Sequence, residues 1–131
     1  VPRLSSDLGE LLSQAANGAI ENAPSFSDDA MVTVVCASSG YPANPRTGDV
    51  IRGLEEASEL PGVTVFCAGV GRNDAGDLVT AGGRVLTVTG RGTTLSEARE
   101  RAYAAVELIS FDGMMVRRDI ADRAAVTQAN T

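Results

Sequence analysis

The chain contains no histidine, no lysine and no tryptophan, and each of its 11 basic residues is an arginine. These absences remove Ser-His and Cys-His nucleophiles, Schiff-base lysines, histidine metal ligands and the lysine of a phosphate loop. What survives is carboxylate chemistry, or arginine gripping an anion for chemistry done elsewhere. Aromatic bulk is scarce: Phe26, Phe66, Phe111, Tyr41 and Tyr103 supply all of it, so a core must be mostly aliphatic. No apolar run reaches the roughly 18 residues of a membrane helix, and the first residues lack the basic, apolar and small-residue order of a signal peptide. A soluble, intracellular protein with no membrane partner is the expectation. Only two cysteines occur, Cys36 and Cys67, too few for a metal-ligand spacing or a disulfide framework. Both lie in apolar runs, Val34-Val35-Cys36-Ala37 and Val65-Phe66-Cys67-Ala68. They read as buried reduced thiols, with a nucleophile or redox pair as the other reading.

What is present fits one domain with a flanking element, at 131 residues and 44% hydrophobic composition. The net charge is -6, and the arginines are scattered, which argues against a nucleic-acid partner. The chain has no initial methionine, and it starts just ahead of a helix-like segment, so it reads as a piece of something longer. Ser5-Ser6-Asp7 predicts a helix start, with Leu8, Leu11, Leu12, Ala15 and Ala16 at helical spacing up to Asn17-Gly18. The polar, proline-containing residues 21–29 read as a linker.

From residue 31 the elements alternate. Met31 to Ala37 predicts a strand, Asp49 to Glu59 a helix, and Val63 to Ala68 a second strand. Asn73-Asp74-Ala75-Gly76-Asp77 is a turn cluster, and Leu78 to Ala81 and Arg84 to Thr89 are strands around a glycine pair. Thr94-Leu95-Ser96-Glu97 has the capping-box form, its hydroxyl and carboxylate each meeting an end amide, and opens a helix carrying Ala98, Ala102, Ala105, Val106 and Ile109. Met114 to Val116 is a candidate edge strand. The order predicts an α+β fold of the split βαβ kind, a mostly antiparallel sheet with helices on one face.

Two loops at the ends of apolar runs are the candidate sites. Arg84 follows Gly82-Gly83, where its planar donor fork suits a phosphate or carboxylate and the glycines leave the approach open; a surface arginine after a tight turn gives the same pattern. Ser38-Ser39-Gly40-Tyr41-Pro42 leads through Arg46 and Thr47-Gly48-Asp49 toward a helix start, which binds anions through free amides unless Asp49 caps it. Gly69-Val70-Gly71-Arg72 lacks the third glycine and the following helix of a dinucleotide loop. Arg117-Arg118 with Asp119 and Asp122 reads as a solvated tail, and Glu55, Glu56 and Glu59 as an exposed helix face.

These stretches, in this order, resemble the C-terminal part of the phosphoribosylamine-glycine ligase family, the glycinamide ribonucleotide synthetases. The likeness runs from about Val1 to Ala124. It is carried by Leu4-Ser5-Ser6-Asp7-Leu8, Ala37-Ser38-Ser39-Gly40-Tyr41-Pro42, Gly48-Asp49-Val50-Ile51, Gly53-Leu54, Leu60-Pro61-Gly62-Val63, Ala68-Gly69, Thr80-Ala81-Gly82-Gly83-Arg84-Val85-Leu86, Ala102-Tyr103 and Arg117-Arg118-Asp119-Ile120. The resemblance implies an ATP-grasp ligase of purine biosynthesis. It would join glycine to phosphoribosylamine with ATP, through a glycyl phosphate, in the cytoplasm, using Mg2+ or Mn2+ bound mainly by an upstream region. On this reading residues 1–29 are the closing helix of the ATP-grasp region and a linker. Residues 30–124 are the C-terminal domain that packs on it, and 125–131 a flexible tail. No catalytic residue or metal ligand is expected here. By analogy with related ATP-grasp enzymes, Arg84 would hold the ribose 5-phosphate, Gly82 and Gly83 would let it approach, and Ser39, Gly40 and Tyr41 would form the other wall. Cys67 departs from the family, where a histidine often precedes the Ala-Gly pair, and Arg46 stands near a position that is often lysine. The competing expectations are a stand-alone small-ligand or dimerisation module without catalysis, and a domain that serves only the packing of its parent.

Overall fold

The computed structural model describes Val1–Ala129. Its first helix, α1 (Leu8–Ala16), starts where Asp7 accepts a hydrogen bond from the Glu10 amide at 2.8 Å. The residues on either side of α1 close on each other: Leu4 bridges Phe26, and Arg3 donates to the Ser27 carbonyl. Residues 21–29 are therefore tied back to the start of the chain as well as leading onward. No residue of α1 is buried, and Leu8 and Leu12 are exposed.

The main sheet is antiparallel throughout, in the order β2-β5-β1-β6, with β1 at Ala30–Ala37, β2 at Val63–Cys67, β5 at Arg84–Gly92 and β6 at Met115–Val116. β5 lies between β1 and β2, so those two strands run parallel with an antiparallel strand between them. The hairpin of β3 (Val70–Arg72) and β4 (Leu78–Thr80) forms a separate two-stranded sheet. Leu78–Thr80 thus pairs with Val70–Arg72 around the expected turn cluster, whereas the sequence reading set it beside Arg84–Thr89. Val70–Arg72 escapes periodicity analysis because three residues are too few to show alternation.

Helix α2 is confined to Leu54–Ser58, shorter than the expected 49–59. Val50 and Arg52 are extended, bridging Val79 and Ser110. The physical stop is Gly53, at φ 73°, where a Cβ would lie 1.8 Å from the Leu108 carbonyl oxygen. Helix α3 (Leu95–Leu108) begins as expected with Thr94 accepting from the Glu97 amide. The Glu97 carboxylate, however, takes the amide and hydroxyl of Thr93 and not the Thr94 amide. Those bonds hold the Glu97 carboxyl below the usual carboxylate range. Helix α4 (Asp122–Ala129) occupies most of the expected tail, so secondary structure continues past Ala124; residues 130–131 lie outside the described residues.

Strand alternation divides the main sheet into two unlike faces. One presents Val32, Val34, Cys36, Leu86 and Val88 to Ala98, Ala102, Ala105 and Val106 of α3, and these form the core. Small side chains let α3 approach until a Cβ on Gly90 would sit 2.1 Å from the Ala98 carbonyl oxygen. The other face carries Thr33, Val35, Phe66, Thr87 and Thr89, with Val35 and Phe66 exposed. Cys36 belongs to the core, and burial pushes its thiol up to about 11. Cys67 is exposed, contrary to expectation, because β2 is an outermost strand and Cys67 is its last residue.

Two outcomes follow from this packing. Gly90→Ala forces α3 off the sheet and lowers stability by about 3 kcal/mol in chemical denaturation. At pH 8 a thiol reagent labels the native protein once, and Cys67→Ser abolishes that label while the buried Cys36 stays unmodified.

Candidate functional site

The site-forming feature is a shift in register. Cys36 pairs with Leu86 but Ala37 pairs with Arg84, so Val85 is an extra residue on β5. Such a bulge re-aims side chains. Val85 turns into the core, fully buried, and Arg84 is left exposed beside Val35 and Thr87 of the open sheet face.

Two loops meet there, and Ser38 joins them. Its amide donates to the Gly83 carbonyl at 2.8 Å and its Oγ to the Gly82 carbonyl at 2.5 Å, both inside the protein. Further along, the Gly48 amide donates to the Thr80 carbonyl, and Thr80 Oγ1 accepts from the Asp49 amide. Arg46 fixes the outer part of the loop. It donates to both Asp49 oxygens, at 2.9 and 2.8 Å, and also pairs with Asp112. These bonds, that to Asp49 first, raise the Arg46 pKa further above its ordinary value. The arginine that stands near an expected lysine is thus a structural clamp. Asp49 caps no helix: it is held by Arg46, and α2 begins five residues later.

The expected site residues divide. Arg84, Gly83 and Tyr41 line one hollow, of about 450 Å³, together with Val35, Ala68 and Thr87. Tyr41 also lines a neighbouring apolar hollow, of about 400 Å³, with Val35, Met115 and Ile120. Gly82, Ser39 and Gly40 line neither. Ser39 packs against Gly113, Gly40 makes a tight turn whose carbonyl accepts from the Asn44 amide, and Gly82 lies against Gly69. Each glycine of the pair admits a close contact within the protein. A Cβ at Gly83 would sit 2.3 Å from the Tyr41 ring, and one at Gly69 would sit 2.8 Å from Gly82 Cα. These glycines admit the protein's own ring and backbone. Ser38 escapes the sequence reading because its role is a buried stitch across 44 positions, which no local pattern reports.

The electrostatics single out Arg84. Among the described residues its guanidinium has no hydrogen bond or ion pair, a state it shares with Arg52 and with no other arginine. Arg52 lies in a hollow that also holds Asp49 and Asp112. The Arg84 hollow has no carboxylate in its lining, in a chain with 17 acidic residues. A cation without a partner, over a floor of Val35 and Ala68, attracts an anion more strongly than a paired surface arginine does.

Fold and hollow together define a small α+β domain with a hollow on its helix-free sheet face, lined by an arginine and by no carboxylate. The family model for the phosphoribosylglycinamide synthetase C domain matches residues 31–123, and the chain belongs to that family. It is 49% identical over 127 residues to a phosphoribosylamine-glycine ligase of Streptomyces coelicolor, covering 94% of this chain and 30% of that protein. It is 46% identical over 123 residues to a ligase of the same name from Neisseria meningitidis, covering 93% and 29%. A chloroplastic one from Arabidopsis thaliana is 47% identical over 124 residues, covering 93% and 23%. The crystal structure of the Thermotoga maritima phosphoribosylamine-glycine ligase superposes with a TM-score of 0.69 at 36% identity, over 83% of this chain and 26% of that one. The chain therefore spans less than a third of the length of these relatives.

Because the Arg84 guanidinium has no hydrogen bond or ion pair among the described residues, Arg84→Ala leaves stability within ~0.5 kcal/mol of the original. Melting curves of the two proteins, recorded side by side, check this.

Proposed function

We propose that this chain is the C-terminal domain of a phosphoribosylamine-glycine ligase, and that its Arg84 hollow receives the 5-phosphate of phosphoribosylamine. The whole enzyme joins the sugar amine to the carboxyl of glycine at the expense of ATP, through a glycyl phosphate. Glycinamide ribonucleotide, ADP and phosphate are the products, in the purine pathway and in the cytoplasm. The observation that carries the reading is the unpartnered Arg84 guanidinium in a carboxylate-free hollow of a domain belonging to this family.

The contribution of these residues is binding and orientation. Arg84 presents a planar fork to phosphate oxygens, Tyr41 walls the hollow, and Gly83 lets that ring close in. Holding the phosphate end fixes where the distant amine sits, so binding energy remote from the reacting atoms serves the rate. ATP and its Mg2+ or Mn2+ belong, on this reading, to the remainder of the enzyme. Among the described residues no three His, Cys, Asp or Glu side chains group as a metal would need, so these residues do not fit that role.

The strand order, with β5 between the parallel β1 and β2, supports reading residues 30–124 as a split βαβ-type C-terminal domain of an ATP-grasp ligase. The bare apolar residues of α1, Leu8 and Leu12, support reading residues 1–29 as the closing helix and linker of the ATP-grasp region, with the domain packed against that region. No helix among the described residues is long and apolar enough to cross a membrane.

In the full-length ligase Arg84→Ala raises the KM for phosphoribosylamine by roughly 30-fold or more, the size of a lost hydrogen-bonded charge contact. The KM for ATP stays within twofold, about the scatter of an uninvolved site. An unchanged phosphoribosylamine KM removes the sugar phosphate from this hollow.

A further inference from the structure

The open sheet face holds four threonine hydroxyls, those of Thr33, Thr64, Thr87 and Thr89, and the three on β1 and β5 differ in their circumstances. Thr33 and Thr89 lie opposite each other on β1 and β5, and their Oγ1 atoms hydrogen-bond at 2.9 Å. Thr87, two residues earlier on β5, has no such partner. Its cross-strand neighbours are Val35 on β1 and Phe66 on β2, neither of which offers a side-chain donor or acceptor. Among the described residues its hydroxyl makes no side-chain hydrogen bond, and it is only part-buried.

Position makes this more than a spare surface hydroxyl. Without the bulge at Val85, Arg84 and Thr87, three residues apart on a strand, would point to opposite faces. The extra residue brings both onto one face, where they line the same hollow with Tyr41. The Tyr41 hydroxyl likewise has no hydrogen bond among the described residues, in contrast to that of Tyr103, which bonds the Arg117 carbonyl and the Ile120 amide. Arg84, Thr87 and Tyr41, whose guanidinium and hydroxyls have no side-chain partners among the described residues, therefore share a hollow whose other lining residues are Val35, Ala68 and Gly83.

A guanidinium alone grips a carboxylate as well as it grips a phosphate, because the fork matches two coplanar oxygens. A phosphate monoester has a third terminal oxygen, out of that plane, which calls for a further donor. We propose that Thr87 is a specificity-determining residue of this site, its hydroxyl donating to the phosphate oxygen that Arg84 leaves uncovered, so that the hollow selects phosphate monoesters over carboxylates. This rests on the assignment of the hollow to the sugar phosphate. It adds a residue and a chemical preference to that assignment.

The test uses the full-length ligase and ribose 5-phosphate as the probe, with its dissociation constant read by calorimetry, and the KM for phosphoribosylamine as a second readout. Thr87→Val keeps the shape and the strand preference but loses the hydroxyl, and Thr87→Ser keeps the hydroxyl. The expected result is a roughly tenfold weakening of both constants in Thr87→Val, near-complete recovery in Thr87→Ser, and an unchanged KM for ATP. The melting temperature without ligand stays the same in both variants, which separates lost contact from lost fold. If Thr87→Val binds ribose 5-phosphate within twofold of the original while Arg84→Ala does not, the role of Thr87 is overturned and that of Arg84 stands. If neither substitution changes binding, the assignment of the hollow itself falls, and this inference with it.

Discussion

The pairing of β1 with β5, and the one place where its register slips, governs the rest of the structure. From Ala30 opposite Gly92 to Cys36 opposite Leu86 the two strands keep strict step, so alternate residues build a core against α3. Beyond Leu86 the step is lost by one residue. Were it kept, Arg84 would lie on the face that α3 covers, where an unpaired charge is costly, and Val85 would lie in water. The bulge exchanges them: the apolar side chain completes the core and the charged one is delivered to the helix-free face.

That arrangement explains why the two glycine-bearing loops need each other. Turning Arg84 outward leaves the Gly82 and Gly83 carbonyls facing inward, and Ser38 answers both with its amide and hydroxyl. Tyr41 then closes on Gly83, and Arg46 anchors the loop to Asp49 and Asp112. Nearly every polar group in this network is consumed by another. Among the described residues the guanidinium of Arg84 and the hydroxyls of Thr87 and Tyr41 are left over, and these three residues line one hollow. In a protein of net charge -6, a cation in a hollow without carboxylates is the feature on which the proposed phosphate site rests.

Much of this was legible in the chain of letters, and the boundary of legibility has physical causes. The β1 and β5 strands and the α3 helix announce themselves because β-branched runs, a Thr-x-x-Glu cap and an alanine stripe are local signals. Gly53 hid the shortening of α2, since only the approach of the Leu108 carbonyl reveals why it is glycine. The hairpin partner Val70–Arg72 is marked only by the turn cluster that follows it, since three residues show no alternation of their own. Arg84 stands out by its motif and by its lack of a partner among the described residues, and the glycines before it lie against Gly69 and Tyr41. Ser38 and Thr87 gave no signal, because one acts through a stitch between distant loops and the other matters only through a register shift. The exposure of Cys67 followed from the sheet order, which no residue in its neighbourhood encodes.

On the proposed function, the bulge delivers Arg84 to a face where it holds a phosphate. The most direct test is a crystal structure of the full-length ligase with glycinamide ribonucleotide bound. The expected result is the 5-phosphate within hydrogen-bond distance of the Arg84 guanidinium, on the open face of the sheet. A product phosphate bound elsewhere, with Arg84 engaged by a carboxylate of the remaining polypeptide, would contradict it.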